Sequence, residues 1–351
     1  MNGRKDPRSS ASLRRCSASK PPLWSAAASI SDTTLDQLRD DAAALARTYN
    51  NRPAYDVFRV ARALREQAEQ QRDRTQVPSQ RQELLIVAGQ ACALLSAACF
   101  DLGSLDAGVR LARAAALYGE SARFEPLRAF AGGTLAYIAY FTGLPAQGVR
   151  HAQRAQLLPG VGDVGLRRLR AIEARAFAHL GDRASARRAL RASQTEPTGA
   201  LDDLHDGVGG EFGFTPERLA MSNGSTALLL GDGEQAEASA RQALALVTER
   251  PESRRSAPVF GGAAANLAMA RLLNGDLDGA ADVLETVWTI PPDQRVTGLL
   301  ARAADVRRAL AHEHFQGSPL ARELGERVED FIRLSTQRQL GALRGPLALE
   351  G

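Results

Sequence analysis

Leu272-Leu273-Asn274-Gly275-Asp276-Leu277-Asp278-Gly279-Ala280 is the stretch that decides how this chain folds. An apolar helix end runs into a glycine, a short polar residue follows, and a small residue stands five positions after the glycine. A helix that must stop and reverse ends most cheaply on a residue tolerating positive φ, which glycine does without steric cost. Asp276 can then cap the following helix by accepting a bond from a free backbone N–H. The stretch therefore predicts two helices joined by a tight turn.

The arrangement recurs at Asp101-Leu102-Gly103-Ser104, Phe141-Thr142-Gly143-Leu144, His179-Leu180-Gly181-Asp182 and Leu229-Leu230-Gly231-Asp232, and more weakly at Phe315-Gln316-Gly317-Ser318. The six glycines lie 40, 38, 50, 44 and 42 residues apart. Seven positions before the first five stand Ser96, Ala136, Ala174, Gly224 and Ala268, and five positions after them Gly108, Gly148, Ala186, Ala236 and Ala280. All ten are Ala, Gly or Ser. Helices approach backbone to backbone only where both carry small side chains at the crossing, so the coincidence has a packing cause.

Gly–Asp–x–x–x–Ala after a helix, with a small residue seven positions earlier, resembles the tetratricopeptide repeat. The spacing exceeds that repeat's usual ~34 residues, and its large aromatic positions are mostly Ala and Leu here, so the expected form is a degenerate repeat. The resemblance implies an all-α fold, a right-handed α-solenoid of helical hairpins in which the first helix of each repeat lines the concave face. An N-terminal cap hairpin is expected over 31–75, opening on the N-caps Ser31-Asp32-Thr33-Thr34. Five repeats follow over 82–290, interrupted by a long Gly- and Asp-rich loop at 195–215, and a C-terminal cap over 297–334. Residues 1–30 are expected as a disordered basic tail and 336–351 as a frayed one.

Composition narrows the function classes. The formal charge of +4 is misleading, because residues 1–30 hold six basic side chains against the single acid Asp6 and leave the remainder at −1. The folded part is therefore not a polycation seeking phosphate. Only Lys5 and Lys20 are lysine, an arginine bias in keeping with a GC-rich coding sequence. Cys16 lies in the tail, while Cys92 and Cys99 are about 10 Å apart along one helix face, too far to bridge. They are expected as buried hydrophobes in a reducing, cytoplasmic compartment, and Arg14-Arg15 is followed by no apolar run of a secretory signal. The uncharged runs Leu84–Phe100 and Ala129–Val149 are broken by Gln90 and Ser96 and by the turn Gly143-Leu144-Pro145. Both are expected as inner helices rather than membrane spans.

Motifs of catalysis are weak. Gly160-Val161-Gly162-Asp163-Val164-Gly165 fits G-x-G-x-x-G, but a helix ending at Leu158-Pro159 precedes it where a strand is required. His312-Glu313-His314 sets two histidines on different sides of a helix, and His151, His179 and His205 have no acid at catalytic spacing. No enzyme activity, cofactor or metal is expected. A DNA-reading helix could start only at Pro53-Ala54-Tyr55-Asp56, where an acid occupies the end that would meet bases.

One constellation points to binding. Registering each repeat on its glycine puts Phe130, Tyr137, Tyr140 and Phe141 of the second repeat on the concave side, followed by Arg168 and Arg175, then Arg218 and Met221, then Met269. Aromatic and Met side chains offer adaptable apolar contact, and Arg offers forked donors for carboxylates or peptide carbonyls. Two readings stay open: a groove for a peptide, small effector or partner protein, or aromatics filling gaps between hairpins with solvated arginines.

Ala46-Arg47-Thr48-Tyr49-Asn50-Asn51-Arg52-Pro53, Gly275-Asp276-Leu277-Asp278-Gly279-Ala280, Pro291-Pro292-Asp293-Gln294-Arg295 and Ser318-Pro319-Leu320-Ala321-Arg322-Glu323-Leu324 sharpen the resemblance. Over residues 31–335 the chain resembles the C-terminal tetratricopeptide region of actinobacterial Xre-type (Cro/C1-like) helix–turn–helix regulators. That implies a non-catalytic sensor or interaction module, signalling by a change of curvature or by homodimerisation. In that family a DNA-binding domain precedes the repeats. Thirty low-complexity residues stand there in this sequence, too few for a three-helix reader, so direct DNA binding is not expected. The competing expectation is a passive assembly scaffold with no effector.

Overall fold

All six repeat glycines adopt positive φ, from +68° at Gly231 to +84° at Gly317, in the computed structural model, which describes residues 29–251 and 255–336. The expected tails at 1–30 and 336–351 lie almost wholly outside the described residues. Chain order runs α1 (Asp32–Thr48), α2 (Ala54–Arg74), α3 (Pro78–Asp101), α4 (Leu105–Ser121), α5 (Glu125–Phe141), α6 (Pro145–Gln156) and α7 (Asp163–His179). It continues with α8 (Arg183–Ser193), α9 (Pro216–Leu229), α10 (Gly233–Thr248), α11 (Ala257–Leu273), α12 (Leu277–Trp288), α13 (Thr297–Leu310) and α14 (Pro319–Arg333). The fold is all-α: no strand occurs among the described residues.

The turn chemistry follows from the repeat. Asp182 accepts from the Ser185 N–H, Asp232 from Gln235, Asp276 from Gly279 and Ser318 from Ala321, each satisfying an orphan donor of the next helix. Ser104 makes no such bond. The small pairs meet at the crossings. Ser96 Oγ donates to the Gly108 carbonyl at 2.7 Å, and a Cβ on Gly148 would come within 3.0 Å of the Ala136 carbonyl. Ala174, Ala186, Ala268 and Ala280 have no exposed surface.

Each of α3, α5, α7, α9 and α11 packs on its partner across the turn and also on the next odd-numbered helix, so the odd helices stand in file up to α13. That double neighbourhood explains α3, which is buried nearly all round. It is long and apolar enough to cross a membrane by length and composition, yet 78% of its most apolar window is buried against neighbours. Cys92 and Cys99 lie within it as buried free thiols, and burial pushes both up to about 12. The second uncharged run divides at Gly143 into α5 and α6.

One expectation is refined and one corrected. The loop 195–215 is exposed over 195–201 and then turns inward: it holds a π-helical turn, Asp203–Val208, and drives Leu204 and Phe212, both fully buried, into a core with Leu45, Tyr49 and Phe130. Its glycines let the chain bend inward, and Phe212 then meets Phe130 edge to face at 5.0 Å. The His312-Glu313-His314 stretch is not on a helix, because α13 ends at Leu310 and a 3-10 turn, Glu313–Phe315, follows. The helical file also curls back on itself. Thr297 Oγ1, at the start of α13, donates to the Phe100 carbonyl at 2.6 Å, bringing the ends of α3 and α13 together.

Candidate functional site

The inner wall of this curl holds two adjoining cavities, one of about 150 Å³ and one of about 1000 Å³, with Tyr140, Arg175, Gly298 and Arg302 in the walls of both. Phe130, Tyr137, Arg168, Arg218 and Met221 line the smaller, inner cavity. Phe141 and Met269 line the larger, outer one. All nine residues selected from sequence thus stand on these two walls, contributed by α5, α7, α9 and α11.

The aromatic side is one cluster of rings, edge to face or tilted around Tyr137. Tyr137 packs against Phe100, Tyr140 and Phe141 at centroid distances of 4.9, 5.1 and 5.0 Å. Tyr140 in turn stacks on His179 at 5.0 Å and 20°. Burial, then the charge of Arg175, hold the His179 imidazole below its ordinary range, so it faces the outer cavity as a neutral ring at neutral pH.

The arginines are not solvated. Arg168 and Arg175 are 9% and 5% exposed. Arg168 lies 4.1 Å over the Phe130 ring and donates to the Phe130 carbonyl (3.2 Å) and Thr134 Oγ1 (3.1 Å). Burial, and next the Arg218 charge, bring it down to about 10. Arg175 donates to Tyr140 Oη (3.3 Å), the Ser222 carbonyl (3.2 Å) and Ser222 Oγ (3.0 Å), while its buried Nε has no partner. Arg302 donates to Asn266 Oδ1 (3.0 Å), the Gly298 carbonyl (2.7 Å) and Ser225 Oγ (2.9 Å). Burial and then Arg175 lower it as well. Of these four, Arg218 alone has an acid among the described residues, Glu211, at 3.1 Å. Two buried guanidinium groups, Arg168 and Arg175, and the half-buried one of Arg302 therefore rest on neutral acceptors, an arrangement that costs free energy unless an anion completes it.

Register on the glycines missed Arg302, Asp101, Tyr49 and Glu211. Arg302 belongs to α13, which had been assigned to a terminal cap; the 3-10 turn between Leu310 and Gly317 shifts it out of register. Tyr49 and Glu211 arrive only because the curl and the inward segment carry them there, with the Glu211 N–H donating to the Ala46 carbonyl at 2.9 Å. Tyr49 Oη donates to Asp101 Oδ2 at 2.7 Å. Burial raises the Asp101 carboxyl to about 7 despite that bond, with the nearby Glu211 charge adding to the rise. A raised carboxyl stabilises the fold fully below the ordinary carboxylate range and loses that contribution as pH climbs through 7. Asp101→Asn keeps an acceptor for Tyr49 and is expected to flatten this loss. Thermal unfolding of both chains at pH 5 and pH 8 checks it, and an equal drop in each would refute the assignment.

A second missed pair is Asp202 and His205, three residues apart, with His205 Nδ1 at 2.8 Å from Asp202 Oδ2. Asp202 Oδ1 also accepts from the Leu204 and His205 N–H groups (2.9 and 2.7 Å), and Oδ2 from Gly162 (2.8 Å). With those acceptor positions filled, the pair clasps the inward segment onto the start of α7. The Gly160–Gly165 motif is accordingly a turn: Gly162 is the extended residue that opens α7. Among the described residues no group of three or more His, Cys, Asp or Glu side chains is placed to hold a metal ion. The chain matches no protein-family model and no curated protein.

Proposed function

We propose that this chain is a non-catalytic sensor or interaction module of a bacterial transcriptional regulator, built as a solenoid of degenerate tetratricopeptide-like hairpins. It works in the cytoplasm and binds a small effector, peptide or partner protein in its concave groove. The observation that supports this reading is the shared wall: nine side chains from four successive odd-numbered helices line two adjoining cavities, with one partly unsatisfied arginine, Arg175, at their junction. A ligand touching several stacked helices has differential contacts with more and less tightly curled arrangements, which is the requirement for shifting between them.

Native mass spectrometry of the chain purified from its host cell tests the reading. A defined mass adduct is expected on the wild type, and Ala301→Trp, which grows an indole from the half-buried outer wall, is expected to remove it. An adduct unaffected by that substitution places the ligand elsewhere. No adduct from any cell fraction, with self-association retained in both chains, favours a passive scaffold instead.

A further inference from the structure

We propose that the junction of the two cavities is the head-group seat for a single-chain amphiphile, with a carboxylate or phosphate oxyanion between Arg175 and Arg302 and an apolar tail along the outer cavity. This rests on the groove reading above and gives it a ligand class.

Charge carries the first half. Arg175 and Arg302 are the two cations common to both walls, and among the described residues neither forms an ion pair with an acid. The acids around them are already engaged. Glu211 pairs with Arg218, Asp305 pairs with Arg308, and Asp101 accepts from Tyr49. Ser222, Ser225 and Asn266 orient the two guanidinium planes. Two fixed forks of donors without a counter-charge suit an oxyanion, for which Arg geometry is selective. The unpartnered Arg175 Nε is a donor still to be satisfied.

The tail follows from the outer wall. Leu228, Leu229, Met269, Leu272, Leu273 and Phe315 make it predominantly apolar, and its volume of about 1000 Å³ is at the upper end for small-ligand sites. A peptide needs partners for its own amides. Here Asn266 is committed to the Met221 carbonyl, Ser225 and Arg302, and Asn274 donates to Glu237. His179, Asp305, Arg308, His312 and His314 complete the polar part of the wall, and it is the apolar majority that fits an alkyl or aromatic tail better than a peptide backbone.

Calorimetric titration of the 351-residue chain with octanoate, octyl phosphate, octanol and octylammonium separates head from tail. Both anions are expected to bind saturably at one site, octanol roughly tenfold or more weaker, and octylammonium weakest. The tighter of the two anions identifies the head group. Arg302→Gln is expected to weaken octanoate binding roughly tenfold to hundredfold and to leave octanol unchanged, with Arg302→Lys intermediate. Arg302 also holds α9, α11 and α13 together, so folding of each variant is checked by circular dichroism; the head-group series on the wild type stands without them. Octanol or octylammonium binding as tightly as octanoate overturns the oxyanion seat while leaving a ligand groove. Failure of all four on folded protein overturns the seat and leaves the groove reading to the mass-adduct test.

Discussion

Asp202→Ala is expected to destabilise the chain by about 3–5 kcal/mol, the range for removing one partner of a buried charged cluster. The Asp202 side chain is 2% exposed and accepts from three backbone N–H groups and from His205 Nδ1. Alanine leaves those donors buried without acceptors, and each unsatisfied group carries its own desolvation cost of about 1–3 kcal/mol. Asp202→Asn keeps one acceptor oxygen and is expected to fall between. The pH dependence has a definite sign. Burial alone would raise this carboxyl, but bonds from the His205 ring and from the His205 and Gly162 amides hold it below the ordinary range. A depressed carboxyl contributes its stability above the ordinary carboxylate range and loses it as pH falls through the folded value. Denaturant unfolding at neutral pH and under acid conditions measures both. A loss below 1 kcal/mol at neutral pH would mean that the clasp is not what holds segment 195–215 inward.

Gly210→Ala is expected to cost about 2–4 kcal/mol, adding backbone strain to a collision with backbone. Gly210 sits at φ +62°, and a Cβ there would fall on the Ala46 carbonyl and within 2.5 Å of Arg47 Cα. Neither neighbour is a flexible side-chain end, so α1 or the segment must move. That movement breaks the Glu211 N–H bond to Ala46 and the Arg47 bond to the Val208 carbonyl. Gly181→Ala is the control: φ is +76° with nothing within 4 Å, so only the strain of about 1–2 kcal/mol applies. The difference between the two substitutions in unfolding midpoint isolates the contact between α1 and the inward segment. Equal losses would show that this contact contributes nothing.

Legibility divided along physical lines. Whatever depended on neighbours close in sequence could be read directly. The glycine turns, the Asp caps and the Ser96–Gly108 and Ala136–Gly148 crossings lie within about a dozen residues of one another, where helix geometry alone dictates who meets whom. That the nine residues share the walls of two cavities was legible for the same reason, because register on a common turn fixes which side of each odd helix faces inward. The Asp202-x-x-His205 clasp was equally local and was overlooked, since its segment carried no helical or strand period to suggest an ordered turn. Long-range placement was beyond sequence. How far the file of helices curls depends on many small packing angles summed over some two hundred residues, and no local pattern encodes that sum. Only the folded chain puts Thr297 against Phe100, brings Arg302 to Arg175, and turns an apparent Gly-rich loop into an inner wall carrying Glu211. The turns could be read because their partners are covalently near, and the counter-charge missing at the junction could not, because it is a property of side chains that meet from α7 and α13.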